Sequence, residues 1–226
     1  IDEWLRYATT ESLSYFMYLK PKTAKRMHFD VIPKAMDEYQ QQLKAFHTQE
    51  LAVQLNNPIF HIHGQNAPKP DMAVSFSMLL NLAAVANADD KDQLWGFIQR
   101  YAPDTSAASH PGLDQAAGFA VRYYNDFIKP TKTYRAPSDL ERNALQDLRD
   151  QLAAYQGPLD PEQLQSIVFA CGRERFEPLR AWFKAIYEVL LGASQGPRFG
   201  GFIALYGLTE TVALIDHALS GGFVKD

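Results

Sequence analysis

Residues 182–219 constrain the fold most strongly, because apolar residues at helical spacing alternate there with glycine-rich breaks. The first part predicts a buried helical stripe made of Trp182, Phe183, Ile186, Val189 and Leu190. Gly192 stands where a helix-ending glycine is expected, because glycine takes a positive φ without strain. A second apolar helix is expected to begin near Phe202 and close at Gly207, and Thr209 is positioned to cap a third. The stretch therefore predicts packed helices joined by tight turns.

The turn at 195–201 reads Gln-Gly-Pro-Arg-Phe-Gly-Gly and combines chemistry that a plain helical hairpin does not need. Arg198 offers a planar fork of hydrogen-bond donors, and Phe199 offers an aromatic face. Glycines such as Gly200 allow a second backbone or a flat base to approach closely. One interpretation is a contact site for a planar ligand. The other is a hairpin in which Arg198 only caps carbonyl groups.

The rest of the chain follows the same helical period, and no alternating run is long enough for a strand. Asp30 is placed to open a long helix that Asn56-Asn57-Pro58 ends, and residues 57–70 read as an irregular connection. Two helix starts are specific: a capping box from Ser138 to Glu141, and Asp160 followed by a proline. The prediction is an all-α fold, a multi-helix array of about nine or ten helices.

Composition limits the classes of function. The 226 residues are 46% hydrophobic and 21% charged, which is typical of a soluble globular protein. No apolar run approaches the roughly 20 residues of a membrane span, and no secretory signal opens the chain. Cys171 is the single cysteine, which excludes a disulfide framework and favours a reducing compartment. The chain begins within a helical pattern without an initiator methionine, so we expect a piece of a longer protein.

Basic residues cluster in two places, although the net charge is −4. The first cluster has four positive charges and no acid in seven residues: Lys20, Lys22, Lys25 and Arg26. The second cluster is interleaved with tyrosines and consists of Arg122, Lys129, Lys132 and Arg135. Either cluster suits a nucleic-acid backbone, because clustered cations displace its counterions. For the first cluster a solvated face is the more common interpretation, whereas the second suits a solvated face and a nucleic-acid backbone equally well.

No catalytic residue, cofactor-binding residue or metal ligand is predicted. Phosphate-binding loops, nucleophile elbows, zinc motifs and cysteine pairs do not occur in the sequence. His61 and His63 stand two residues apart, which does not place both on one helix face as metal ligands. We interpret them as loop histidines bonded to the backbone.

Five stretches of the chain resemble the C-terminal half of class I lysyl-tRNA synthetases. They are Glu11-Ser-Leu-Ser-Tyr-Phe-Met-Tyr, Lys20 to Arg26 with Phe29-Asp-Val-Ile-Pro-Lys34, Asn57-Pro-Ile-Phe-His-Ile-His-Gly64, Ser75-Phe-Ser-Met-Leu-Leu-Asn-Leu82 and Gln195-Gly-Pro-Arg-Phe-Gly200. In that family the catalytic domain carries His-Ile-Gly-His and Lys-Met-Ser-Lys-Ser signatures upstream of the matching region, and neither occurs here. The resemblance implies a helical tRNA stem-contact segment at 1–57 and an α-helix cage that binds the anticodon at 58–226.

The resemblance also implies functional assignments. Whole relatives use ATP to attach lysine to tRNA, whereas this chain alone should be inactive and should bind no cofactor, since ATP and lysine belong to the catalytic domain. The implied partner is a lysine tRNA, without DNA or membrane partners, for a cytoplasmic monomer. The anticodon is assigned to Arg198, Phe199 and Gly200, the tRNA backbone to Lys20, Lys22, Lys25 and Arg26, and the cluster from Arg122 to Arg135 is secondary. Two alternatives stay open: a helical protein-interaction scaffold, and a hydrolase that uses His61 and His63.

Overall fold

The structure is a computed structural model that describes residues 1–223. These residues form 13 α-helices and no strand, with about 65% of the chain helical. The helices are α1 (Asp2–Leu5), α2 (Thr10–Tyr18), α3 (Ile32–Phe46), α4 (Leu51–Gln54), α5 (Pro58–His63), α6 (Phe76–Ala86), α7 (Lys91–Tyr101), α8 (Pro111–Tyr123), α9 (Asp139–Ala154), α10 (Pro161–Arg173), α11 (Arg180–Ile186), α12 (Phe199–Tyr206) and α13 (Leu208–Leu219). The predicted all-α multi-helix fold is confirmed.

Two helices continue into π-helical turns. The segment Tyr124–Ile128 extends α8 and leads into a 3₁₀ turn at Lys129–Thr131, and Tyr187–Leu191 extends α11. Gly192 ends the second π turn with a φ of 65°, as predicted from its position in the sequence. Such a wide turn packs an extra residue into the helix, which a strict 3.6-residue pattern does not reveal.

The two most specific capping signals, at Ser138 and Asp160, located their helix starts correctly. The Ser138 hydroxyl accepts from the Glu141 amide, and the Glu141 carboxylate accepts from the Ser138 amide at 2.8 Å. Asp160 accepts from the Gln163 amide at 2.8 Å. The predicted cap at Thr209 is wrong, since α13 begins one residue earlier, directly after Gly207, whose φ of 110° makes the bend.

The region between 30 and 64 differs from its prediction. Asp30 lies in a 3₁₀ turn instead of capping α3, and α3 ends at Phe46, well before Asn56. The connection predicted as irregular contains α5, because the Asn57 side chain caps that helix by accepting from the Ile59 amide at 3.0 Å. Together with the short α4, this contributes to the structure having more helices than predicted.

The buried side chains form two large clusters and one small cluster. The first cluster brings α1 and α3 together with α6, α7 and α8, and the second brings together α9 to α13. The small cluster joins α2, α3 and α5 through Tyr15, Tyr39, Leu43, Phe46 and Ile59. Residues on both sides of position 57 therefore share one core. The predicted division at 57/58 stays a prediction, and its last residues, 224–226, lie outside the described part.

Helix α12 contributes to both large clusters. Phe202 and Ile203 are buried in the second cluster, whereas Leu205 is buried in the first. A backbone hydrogen bond of 3.0 Å from the Thr133 amide to the Gly192 carbonyl also links the segment after α8 to the segment after α11.

Within residues 1–223 no single helix is long and apolar enough to cross a membrane. Helices α12 and α13 reach that length and composition only as a pair bent by 111°.

Candidate nucleic-acid interface

Arg198 is exposed at the start of α12, where the hairpin turn meets the helix. Its backbone occupies the N-cap position, and its side chain is 58% exposed. The guanidinium forms an ion pair with Glu162, which lies in the first turn of α10. Because both groups face solvent, the pair is weak and easily exchanged. Arg198 is thus available to an external ligand, with Glu162 as its internal competitor.

Phe199 is a core residue, which corrects the expectation that its ring offers a face to a base. The side chain is 0% exposed, and its ring stacks on Phe202 with 5.3 Å between ring centroids. The pattern starting at Phe202 begins one turn too late, so the sequence interpretation placed Phe199 outside the helix. In the structure Phe199 is the first residue of α12.

Gly200 is buried beneath α10. The absence of a side chain at this position allows α10, and not a base, to approach closely. Its amide donates to the Gln165 Oε1 at 2.8 Å. A Cβ at this position would lie 2.3 Å from the Pro161 carbonyl oxygen and 2.4 Å from the Gln165 nitrogen. The assignment of Gly200 to anticodon contact is therefore corrected, and Arg198 is the exposed member of the predicted set.

A cavity of about 520 Å³ lies beside the hairpin turn and was missed by the sequence interpretation. We call it the hairpin cavity. It is lined by Arg180, Phe183, Lys184, Tyr187, Ser194, Gln195 and Gly196. The Tyr187 hydroxyl donates to the Pro197 carbonyl at 2.8 Å, which ties this wall to the residue before Arg198. The spacing of Arg180, Lys184 and Tyr187 on one helical face was the available signal, but helical periodicity assigns Phe183 to the buried stripe alone.

The cluster at 20–26 divides into exposed and engaged residues. Lys20, Lys22 and Arg26 are exposed and have no ion-pair partner within residues 1–223. Lys25 instead donates from Nζ to the carbonyls of Phe16 and Met17, the latter at 3.0 Å, and so caps the C-terminal end of α2. Burial, followed by the charge of Lys20, lowers the pKa of the Lys25 amine. The prediction that Lys25 contacts a phosphate is therefore corrected, because its amine is used to cap α2.

Arg135 of the secondary cluster is held in an internal ion-pair network. Its Nη1 and Nη2 each donate to Glu141 at 2.7 Å, and its Nε donates to Glu188 at 2.7 Å. Hydrogen bonds from Arg135 lower the pKa of the Glu141 carboxyl to about 2. Arg135 therefore fixes the loop before α9 against the π turn of Tyr187–Leu191, and its predicted secondary role in RNA contact stays a prediction.

Lys132 is also engaged by the protein. Its Nζ donates to the Ala84 carbonyl at 2.6 Å, near the end of α6, between the rings of Tyr124 and Tyr134. Burial, followed by the charge of Lys129, lowers its pKa to about 8. Its amine caps α6 and keeps two further donors, and its predicted role in RNA contact stays a prediction.

The other two members of the secondary cluster are more exposed. The Arg122 Nε donates to the Arg6 carbonyl at 2.9 Å, and Lys129 lies 3.4 Å from the Asp89 carboxylate. Both contacts are at the surface, where a ligand can replace them, and the exposed ion pair of Lys129 contributes little to stability. Their predicted role in RNA contact stays a prediction.

The two histidines lie on α5, which corrects their placement in a loop. His61 shares a hydrogen bond of 3.1 Å with the Leu55 carbonyl, and His63 shares one of 3.0 Å with the Tyr39 hydroxyl. Among residues 1–223, no three His, Cys, Asp or Glu side chains are grouped so as to hold a metal ion. Both imidazole rings therefore have hydrogen-bond partners within the protein.

Comparison with known proteins places these features in context. The family described as tRNA synthetases class I (K) matches residues 1–66. The lysine–tRNA ligase of Roseobacter denitrificans is 71% identical over 226 residues, or 100% of this chain. The chain is similar to lysine–tRNA ligases along its whole length. The ligases of Rickettsia felis and Rickettsia bellii are each 45% identical over 222 residues, or 97% of this chain.

The matched region is less than half of each relative. The chain spans 43% of the Roseobacter ligase and 42% of each Rickettsia ligase. The sequence motifs and these comparisons both point to similarity with lysine–tRNA ligases.

Proposed function

We propose that this chain is the tRNA-binding part of a class I lysine–tRNA ligase, a cytoplasmic enzyme that uses ATP to attach lysine to tRNA. The observation that carries the proposal is the 71% identity to a lysine–tRNA ligase across every residue of the chain. In this proposal α1–α3 contact the tRNA stem, and the hairpin between α11 and α12 contacts the anticodon. The catalytic reaction belongs to the remainder of the relatives' length.

The exposed chemistry of the hairpin supports an anticodon contact. Anticodon bases lie in a single-stranded loop, so they can leave the stack and be read along their edges. Arg198 supplies a planar donor fork for such an edge, and the nearby Phe183 and Tyr187 supply rings on which a base can stack. Lys22 and Arg26 supply charge for phosphates without reading sequence.

Binding of a lysine tRNA transcript to this chain tests the proposal. Phosphate contacts release counterions, so affinity should fall steeply as salt is raised. A helical protein-interaction scaffold would show weak or salt-insensitive association with the same transcript. That result would overturn the proposed function.

We expect no lysine-dependent pyrophosphate exchange from this chain, because its sequence carries neither synthetase signature. The assay uses ATP, lysine and labelled pyrophosphate, with a whole lysine–tRNA ligase as the positive control. Exchange above background that is lost in His63→Ala would support a catalytic chain and contradict the proposal.

Neutralising Lys22 or Arg26 should lower the dependence of log Kd on log salt by about 0.9 for each phosphate contact removed. The loss should be equal for tRNAs with matched and altered anticodons. Lys25→Ala should instead lower the melting temperature, because it removes the cap of α2. Lys69→Ala, an exposed lysine in the connection between α5 and α6, is the matched control and should change neither quantity. A substitution at Lys22 that alters anticodon preference and leaves the salt slope unchanged would refute the backbone assignment.

Arg198→Ala should weaken binding of a lysine tRNA more than binding of a tRNA with an altered anticodon, by about 1–3 kcal/mol. Arg198→Lys should not restore the difference, because an ammonium lacks the planar fork. Titration of each variant with both transcripts at one salt concentration measures the effect.

Glu162→Gln is the informative companion variant. It removes the internal competitor for Arg198, so we expect equal or tighter binding of the lysine tRNA. If Arg198→Ala weakens both transcripts equally, the arginine contacts phosphate and does not read a base.

A further inference from the structure

A second cavity lies on the other side of the hairpin turn. Its volume is about 600 Å³, and we call it the joint cavity, because helices of both large clusters line it. Its lining includes Leu80, Asn81, Ala84, Lys132, Ser194 and Gln195. Ser194 and Gln195 also line the hairpin cavity. These two residues therefore form a partition between two neighbouring cavities.

The two cavities differ in chemistry. The hairpin cavity has the aromatic walls Phe183 and Tyr187 and a cationic rim at Arg180 and Lys184. Such a combination suits a stacked base and its phosphate. Each volume falls within the range of about 300–1,000 Å³ that is usual for small-ligand sites.

The joint cavity has an apolar floor and polar groups at its edge. The floor is formed by Leu80, Ala84, Ile128 and Leu191, and no aromatic side chain is among its described lining residues. The Asn81 Nδ2 donates to the Ser77 carbonyl at 2.6 Å, which leaves its Oδ1 as an acceptor. Lys132 uses one donor on Ala84 and retains two. A base in the joint cavity would therefore lie on the apolar floor and form hydrogen bonds along its edge, without stacking on an aromatic ring.

Gln195 has the properties of a separating residue. It is exposed, and its amide has no hydrogen-bond partner within residues 1–223. The backbone beneath it is anchored on both sides, by Gly192 bonded to Thr133 and by Pro197 bonded to Tyr187. An amide carries both donors and an acceptor, so it can contact the edges of two bases at once.

We propose that the two cavities take two adjacent, unstacked nucleotides of one single strand, with Gln195 inserted between their bases. One base stacks in the hairpin cavity, and its neighbour is bound by its edge in the joint cavity. This inference rests on the proposed function, in which the strand is the anticodon loop. It assigns recognition to Gln195, Phe183 and Asn81, which were not among the site residues predicted from the sequence.

The test uses a lysine tRNA anticodon stem-loop with 2-aminopurine placed at each anticodon position in turn. On binding to the wild-type chain, one position should be quenched by the rings of the hairpin cavity. The adjacent position should become brighter, because its base leaves the stack without meeting another ring.

Two variants separate the cavities. Phe183→Leu should abolish the quenching at the first position and weaken binding about 5- to 150-fold, as expected when stacking is lost. Thr133→Trp places a ring in the joint cavity from an exposed position and should abolish the brightening at the second position alone. Thr131→Trp fills the same cavity from its other edge and serves as the second variant if Thr133→Trp unfolds. Gln195→Gly should reduce both signals.

The outcomes are distinguishable from those of the proposed function. If the wild-type chain binds the stem-loop with steep salt dependence but both cavity variants alter the same position, or neither alters any, the two-nucleotide inference is overturned alone. If the wild-type chain shows no salt-dependent binding, the proposed function fails, and this inference fails with it.

Discussion

Gly200→Ala is expected to lower the free energy of unfolding by about 3 kcal/mol or more, a large effect for a single added methyl group. The added Cβ would lie 2.3 Å from the Pro161 carbonyl oxygen and 2.7 Å from the Gln165 Cα. These are backbone atoms of α10, so relief requires the two helices to separate. Alanine's better helix propensity returns only about 1 kcal/mol. For a chain of this size the melting temperature should fall by roughly 6–12 °C.

Gly201→Ala is the matched control on the same helix. A Cβ there would lie 3.4 Å from the Met78 Cε, the end of a flexible side chain. We expect its melting temperature to stay within about 2 °C of the wild type, since propensity gain and slight crowding offset each other. Equal stability of the Gly200 and Gly201 variants would contradict the close contact between α10 and α12.

Glu141→Gln is expected to cost about 3 kcal/mol of stability at pH 7 and little near pH 2. Hydrogen bonds from Arg135 lower the Glu141 pKa from 4.5 to about 2 in the folded state. A carboxyl with a lowered pKa stabilises the fold above its unfolded pKa, and the contribution disappears as pH falls from about 4.5 to 2. Each pKa unit corresponds to about 1.4 kcal/mol. The Glu141 side chain is 14% exposed and its partner Arg135 is 40% exposed, so solvent screening lowers the cost somewhat below the value that the pKa alone gives.

Denaturant titrations at pH 7 and at pH 3 measure this difference. Glu162→Gln is the control, because its ion pair with Arg198 is exposed on both sides and should contribute at most about 1 kcal/mol at either pH. A Glu141→Gln variant whose deficit did not shrink at low pH would show that its effect comes from packing and not from the charge.

Features that depend on neighbouring residues in the chain were predictable from the sequence. The Ser138–Glu141 capping box, the Asp160 cap and the left-handed Gly192 each follow from residues within four positions. Helical periodicity likewise identified the class of fold.

Assignments that depend on distant contacts were not predictable in this way. Phe199 and Gly200 are buried because α10, some 35 residues earlier, packs on them. Lys132 is engaged by a carbonyl 48 residues away, and Arg135 by a carboxylate 53 residues away. A cation in the sequence carries no sign of whether such a partner will reach it, so free and engaged basic residues looked alike.

Helix α12 begins at the residue next to the arginine proposed to meet the anticodon, and it is held by both large hydrophobic clusters. A ligand that contacts Arg198 therefore meets a surface already ordered before binding. Little conformational entropy is lost on association at such a surface, so more of the contact energy appears as affinity. By the same geometry, a displacement of the turn would have to move Phe202 in one cluster and Leu205 in the other together. The hairpin is thus suited to distinguish one ligand from another by their fit to a fixed surface, because it does not change its shape for each ligand.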